Sequence, residues 1–191
     1  NNVSSKILII DSNLTEEAAR TQNPLSMCPE EILTKQVVIP VRYWSFDNKL
    51  HQGQLVIHQK LAEDILKVFE AIEKEKFPIT SVIPIADLRF KWNDDVSMEQ
   101  DNTSCFNYRT IAGISKLSYH SRGCAIDINP RLNPQITQKG IVSPHNAIYN
   151  PDIPGTIRED SFLVSLFDSL DWEWGGRWQS LKDWQHFQKT L

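Results

Sequence analysis

The stretch Ser118-Tyr119-His120-Ser121-Arg122-Gly123-Cys124-Ala125-Ile126-Asp127-Ile128-Asn129-Pro130 constrains this chain more than any other. From Cys124 onward it has the period of two that marks a strand. Cys124, Ile126 and Ile128 point one way, Ala125, Asp127 and Asn129 the other. The first set is apolar and should face a core; the second is small, acidic and amide and should face a cleft. His120 precedes Asp127 across a Ser-Arg-Gly turn, where Gly123 can take backbone angles that other residues avoid. Such a turn folds the imidazole back over the carboxylate, giving one nitrogen and one oxygen ligand. His186, in Asp183-Trp184-Gln185-His186, is the best source of a third. Two His and one carboxylate leave a tetrahedral position open to water, as in a catalytic rather than a structural zinc site. Asp183 would stand close enough to take a proton from that water, with Glu173 as the fallback base.

The rest of the chain supplies a frame for such a site. Val37, Ile39, Val41 and Tyr43 alternate with polar or special residues, and Asp47-Asn48-Lys49 makes a turn. Gln54 to His58 then reads as the returning strand of a hairpin. Lys60 to Lys76 is the clearest helix, with a stripe of Leu61, Ile65, Val68 and Ile72 widened by Ala62, Leu66 and Phe69, and Pro78 stops it. Thr15 to Arg20 reads as a short helix and Glu159 to Leu170 as a second amphipathic one. Ile79 to Phe90 has a strand pattern, with Arg89 leading toward the site. Asp94-Asp95 is poised to cap a short helix at Val96 to Met98. Asn133 to Gly155, rich in Pro, Asn and Gly, reads as a long loop bordering the cleft. His51 and His58 lack partners at ligand spacing and are expected to be structural or exposed; His145 lies within the long loop and is not expected to be a ligand.

A carboxylate on a ligand would need a cation, and Arg offers a planar fork of donors. Arg109 is the first choice and Arg122 the competing one; Ser118 would hydrogen-bond either the substrate or the turn.

Together, Ser118-x-His120-x-x-Gly123-x-Ala125-x-Asp127 and Asp183-x-x-His186 resemble the M15 zinc peptidases, the D-alanyl-D-alanine carboxypeptidase and dipeptidase family. The likeness extends through Asp101 to Arg109, Ile128-Asn129-Pro130, Asn133-Pro134, Trp174-Gly175-Gly176 and His186-Phe187, roughly from Glu30 to Leu191. It implies an α+β, Hedgehog/DD-peptidase-like fold with a central, mainly antiparallel sheet flanked by helices. It also implies one zinc ion per chain and peptidoglycan stem peptides as substrate, cut at D-Ala-D-Ala or at L-Ala-D-Glu. The related Hedgehog signalling domain supplies an alternative, a zinc-stabilised binding module without hydrolysis. Three departures from the pattern stand out. Asp183 replaces the Glu of many relatives, as in L-alanyl-D-glutamate endopeptidases; Asn150-Pro151-Asp152 stands where an Asp-Arg pair is common; and Arg177 follows Gly-Gly where an acid is usual.

A formal charge of −4 gives no electrostatic case for nucleic acid. No apolar run approaches a membrane span, and 191 residues suit a single sizeable core. Residues 1–34 read as an attached N-terminal segment of unassigned role, and 35–191 as the peptidase-like domain. The chain starts without Met, consistent with a lost signal peptide; a bacterial cell envelope, periplasmic or secreted, and a monomer are the expectations. Cys124 is expected as a free thiol on the core face, Cys28 and Cys105 as a possible pair under oxidising conditions.

Overall fold

The computed structural model describes residues 7–21, 23–24, 27–109 and 116–191. The chain enters through β1 (Leu8–Ile10) and α1 (Glu16–Ala19), the latter capped by Thr15, whose hydroxyl accepts from the Ala18 amide. α2 (Glu30–Leu33) leads into the long hairpin β2 (Gln36–Trp44) and β3 (Leu50–His58), paired in register from Gln36↔His58 to Trp44↔Leu50. Alternation makes this hairpin, and the turn holds because the Asp47 carboxylate accepts from the Lys49 amide. β1 pairs parallel to β3, so the N-terminal segment extends the hairpin into a three-stranded sheet. α1 and α2 cover part of that sheet: Ala19, Cys28 and Ile32 pack with Val56 and Phe106.

A 3₁₀ turn at Gln59–Leu61 starts the next helix, α3 (Ala62–Lys74). Its Ile65, Val68, Phe69 and Ile72 are buried, as the stripe requires, whereas Leu66 is half exposed at the stripe's edge. α3 lies against β2 and against α5 (Phe162–Ser169), capped by Ser161. The region Ile79–Phe90 differs from the strand reading. Only β4 (Ser81–Val82) pairs, in parallel with β5 (Asn102–Thr103). Beyond it Pro84 offers no amide, and Asp87 gathers the Arg89 amide and guanidinium into a local turn. α4 (Asp94–Glu99) is capped by Asn93, with Asp94 and Asp95 one step inside, in the first turn where the helix dipole favours acids.

The C-terminal half builds two further small sheets. β6 (Ala125–Asp127) and β9 (Glu173–Trp174) flank β11 (His186–Gln188), both antiparallel to it. The register sets His186 opposite Asp127 and Phe187 opposite Ile126. β7 (Gln135–Thr137) pairs antiparallel with β8 (Val142–Ser143) and with β10 (Leu181–Asp183). The expected loop therefore carries a hairpin that supports Asp183 from Gln135. The mixture of helix and sheet is that of an α+β chain, its described strands divided among four small sheets. Backbone bonds stitch the sheets together: Phe106 N–H donates to the Val56 carbonyl, His58 N–H to that of Gly123, and Ser104 bridges Asp127.

One main core unites these layers. Tyr43, Leu55, Ile57, Ile65, Ile72, Ile126, Ile128, Phe167 and Phe187 are all essentially inaccessible. Phe187 stacks on Phe167, with ring centroids 3.9 Å apart, so the strand bearing His186 is backed by packed aromatic rings. Cys28, Cys105 and Cys124 are buried free thiols; the suggested Cys28–Cys105 pair is not formed, and Cys124 lies in the core as expected.

Candidate active site

The Ser118–Pro130 stretch folds largely as its sequence suggests. Tyr119–Arg122 is one 3₁₀ turn, capped by the Ser118 hydroxyl accepting from the Ser121 amide. It ends at Gly123 with φ 70°, where a side chain would be strained; a Cβ there would also run into Gln36 Oε1. The turn puts His120 beside Asp127, with Nε2 2.9 Å from Oδ2. Across the β6–β11 rung, His186 Nδ1 lies 3.0 Å from the other carboxylate oxygen, Oδ1. The three residues are buried, and one ligand atom from each lies within 4.8 Å of the others. Cys124, Ile126 and Ile128 face the core. Ala125 and Asn129, however, are buried too, and Asn129 is structural: its amide donates to the Pro78 and Gly155 carbonyls.

The outer ring nitrogens show how the imidazoles are held. His120 Nδ1 lies 2.7 Å from the Cys105 carbonyl, which can only accept, so Nδ1 donates there and Nε2 is the nitrogen turned inward. His186 Nε2 lies 2.8 Å from Gln188 Oε1, leaving Nδ1 to face Asp127. Gln188 Nε2 in turn donates to Glu173 Oε2. Both rings are thus oriented as second partners orient the imidazoles of metal sites. Two inward nitrogens and one carboxylate are a donor set that fits zinc.

Charge at the site follows the same geometry. Burial works to raise the Asp127 pKa, but the His120 charge and hydrogen bonds from both imidazoles hold it well below the usual carboxylate range. Burial works to lower that of His186, yet its bond to Asp127 and the charges of Asp127 and Asp183 push it up to about 9. Asp183 is driven the other way, up to about 6, first by burial and then by the Asp127 charge. Its Oδ2 accepts from Gln135 Nε2 at 3.2 Å, while its Oδ1 is buried without a partner. A buried carboxylate oxygen normally has a donor, and this one has a lone pair to spare for a water or an amine. Gly175 leaves it room: a Cβ there would approach the Asp183 carbonyl to 2.6 Å and its Cβ to 2.9 Å.

Other sequence-singled residues lie around this centre or away from it. The Arg109 backbone is tied to the turn that bears His120, its amide donating to Ser121 Oγ and its carbonyl accepting from it. Its guanidinium pairs with Asp94 at 2.8 Å and is partly exposed. Ser118 is engaged as a cap, and Arg122 lines a separate cavity with Lys35 and Lys60 that none of the triad borders. Arg89 binds Asp87 and the Asp11 carbonyl instead of leading to the site. His51 is buried between Asp11 and Asp47, and His58 is buried and receives the Lys60 amide; His145 is exposed. Glu173 is engaged by Trp178 and Gln188.

Gln135, Gln188 and Trp178, whose ring lies 5.5 Å from that of His186, escape a motif reading. For Gln188 the alternation on a strand with His186 is a usable signal; Gln135 becomes visible only through the β7–β10 register.

Residues 112–189 match the family model described as D-alanyl-D-alanine carboxypeptidase, of the M15 peptidases. The matched span holds His120, Asp127, Asp183 and His186, and with the triad it supports an M15 family peptidase. Arg109 lies just upstream of the match. No curated protein and no solved structure matches the chain.

Proposed function

We propose that this chain is a zinc-dependent metallopeptidase that hydrolyses the peptide stems of peptidoglycan, as a D-alanyl-D-alanine carboxypeptidase or a related D-amino-acid-specific peptidase. The observation that carries the reading is the buried His120–Asp127–His186 triad with an unpartnered Asp183 oxygen nearby. Zinc held by His120 Nε2, Asp127 and His186 Nδ1 would acidify a water and polarise the scissile carbonyl. Asp183 accepts the water's proton and returns it to the leaving amine, so it serves as base and then as acid. Gln135 steadies the carboxylate through Oδ2 and leaves Oδ1 to face the reacting water. Cys105 and Gln188 keep each imidazole's inner nitrogen directed at the metal position.

Arg109 is the anchor for a substrate carboxylate. It sits on the segment bound to the His120 turn, and its guanidinium would exchange Asp94 for substrate. Arg122 and Ser118, both also considered as substrate contacts, are less well placed for that role, being at another cavity and in a cap. The fold we infer is DD-peptidase-like, with the stitched sheets acting as its central sheet and residues 35–191 as the catalytic domain. The described part of residues 1–34 then serves as a clasp, since β1 and α1 pack on the hairpin sheet. A cell-envelope location and a monomer go with this substrate. No described helix is long and apolar enough to cross a membrane.

Asp183 in place of Glu favours a second reading, cleavage of the L-Ala-D-Glu bond, because endopeptidases of that type carry Asp there. Digestion of purified muropeptides by the zinc-replete protein, with mass analysis of products, tests both. Loss of a terminal D-Ala identifies the carboxypeptidase, and release of the stem below L-Ala identifies the endopeptidase. No cleavage of any muropeptide would leave a binding module. Gently purified protein should hold about one zinc per chain; a His120→Ala variant that kept it would overturn the ligand assignment.

A further inference from the structure

A second concavity, of about 1070 Å³, opens where α2, the end of β3, the 3₁₀ turn after Ser118 and the C-terminal residues meet. Its lining includes Lys35, Lys60, Lys116, Arg122 and Lys189, with Glu31 the one acidic side chain among them. Lys189 is paired with Asp64 at 3.0 Å. The other four cations are exposed, and among the described residues they have no carboxylate partner. This concentration stands out in a chain whose formal charge is −4. Their proximity is felt at buried His58, whose pKa is lowered by burial and then by the charges of Lys35 and Lys60. Like charges gathered around one concavity repel one another, and a multivalent anion relieves that repulsion.

The identity of the cations narrows the anion. An Arg fork meets carboxylate and phosphate alike, whereas a Lys ammonium is a compact point charge of the kind that binds phosphate oxygens without a fixed fork geometry. Here three unpaired Lys accompany a single Arg. The cavity is broad and open, so it suits a segment of a chain rather than an enclosed small molecule. We propose that this concavity binds a linear polyol phosphate, a phosphodiester-linked polyanion without bases, held by Lys35, Lys60, Lys116 and Arg122, apart from the His120–Asp127–His186 centre. The site retains the protein on a polyanionic matrix and takes no part in bond cleavage.

The test uses the full, zinc-replete chain and a synthetic oligomer of glycerol phosphate, which contains the diester without any peptide. Oligoglutamate of equal length is the carboxylate control. Binding is read by calorimetry at low and at raised salt, and so does not depend on any hydrolytic activity. The phosphate oligomer should bind, weaken steeply with salt, and bind about tenfold or more less tightly to a Lys35→Ala/Lys60→Ala double variant. Oligoglutamate should bind more weakly than the phosphate oligomer. Hydrolysis of a short soluble stem peptide by the double variant should equal that of the parent. Failure of the parent to bind, equal binding by the double variant, or oligoglutamate binding as tightly as the phosphate oligomer would each overturn the proposal. Both lysines are exposed, and matched melting curves for parent and variant show that any loss is not unfolding.

Discussion

Replacing Asp183 by Asn separates what this residue does for chemistry from what it costs the fold. The carboxyl is buried, keeps one oxygen without a partner, and has its pKa raised from 3.8 to about 6 by burial and by Asp127. A raised carboxyl holds its proton more tightly in the folded chain than in the unfolded one, so ionising it works against folding. That cost is absent below about pH 4 and fully present above about pH 6. At about 1.4 kcal/mol for each pH unit, the distance from 3.8 to about 6 amounts to about 3 kcal/mol at pH 7. Asn has the same shape and can still meet Gln135, but it carries no charge. In metal-stripped protein Asp183→Asn should therefore melt higher at pH 7, by about 6–12 °C for a chain of this size. The gain should fade as pH falls toward 4. With zinc restored, the same variant should lose about a hundredfold or more in turnover. Calorimetric melts across pH and a muropeptide assay check the two halves. Equal melting at pH 7, or a gain that does not vary with pH, would refute the reasoning about burial; undiminished turnover would move the base to Glu173.

The metal itself should show a proton. His186, with its pKa pushed up to about 9, is protonated in the metal-free chain at pH 7, and ligation must expel that proton. Zinc uptake should accordingly release about one proton, and affinity should rise about tenfold per pH unit toward pH 9, both readable by titration in buffers of different ionisation heat. Arg109→Ala should lower kcat/KM by about one to two orders of magnitude with zinc content unchanged, and Arg109→Lys should recover only part of it; if Arg122→Ala is the damaging variant instead, the anchor is misassigned. Gly175→Ala should press a methyl on the Asp183 backbone, 2.6 Å from its carbonyl. It should cost about 1–3 kcal/mol of stability and most of the activity, measured by melting and by hydrolysis.

What the sequence discloses about this molecule is what local chemistry controls. The α3 stripe, the β2–β3 alternation and the Asp47 turn could be read directly, because each is fixed within a few residues. The His120–Asp127 pair was legible for the same reason: one 3₁₀ turn and one αL glycine join them. Where a distant partner decides, reading fails. Ile79 to Phe90 alternates like a strand, yet Pro84 and the Asp87–Arg89 contact turn it after two paired residues. Asn93, not Asp94, caps α4, leaving Asp94 free to hold Arg109. Gln135 and Gln188 look like ordinary polar strand residues until the β7–β10 and β9–β11 pairings set them beside Asp183 and Glu173.

The position of β11 between β6 and β9 reaches beyond chemistry. His186 and Phe187 are neighbours in sequence, yet one faces Asp127 and the other the aromatic stack. A pairing shifted by one residue would bring Phe187 to the carboxylate and drive an imidazole into the core. An ion held between His120, Asp127 and His186 would then be lost in the same event as the core. Metal retention and correct strand alignment are thus one condition. During refolding, ion capture would discriminate against misaligned chains, and the fraction of chains that retain metal would measure folding fidelity.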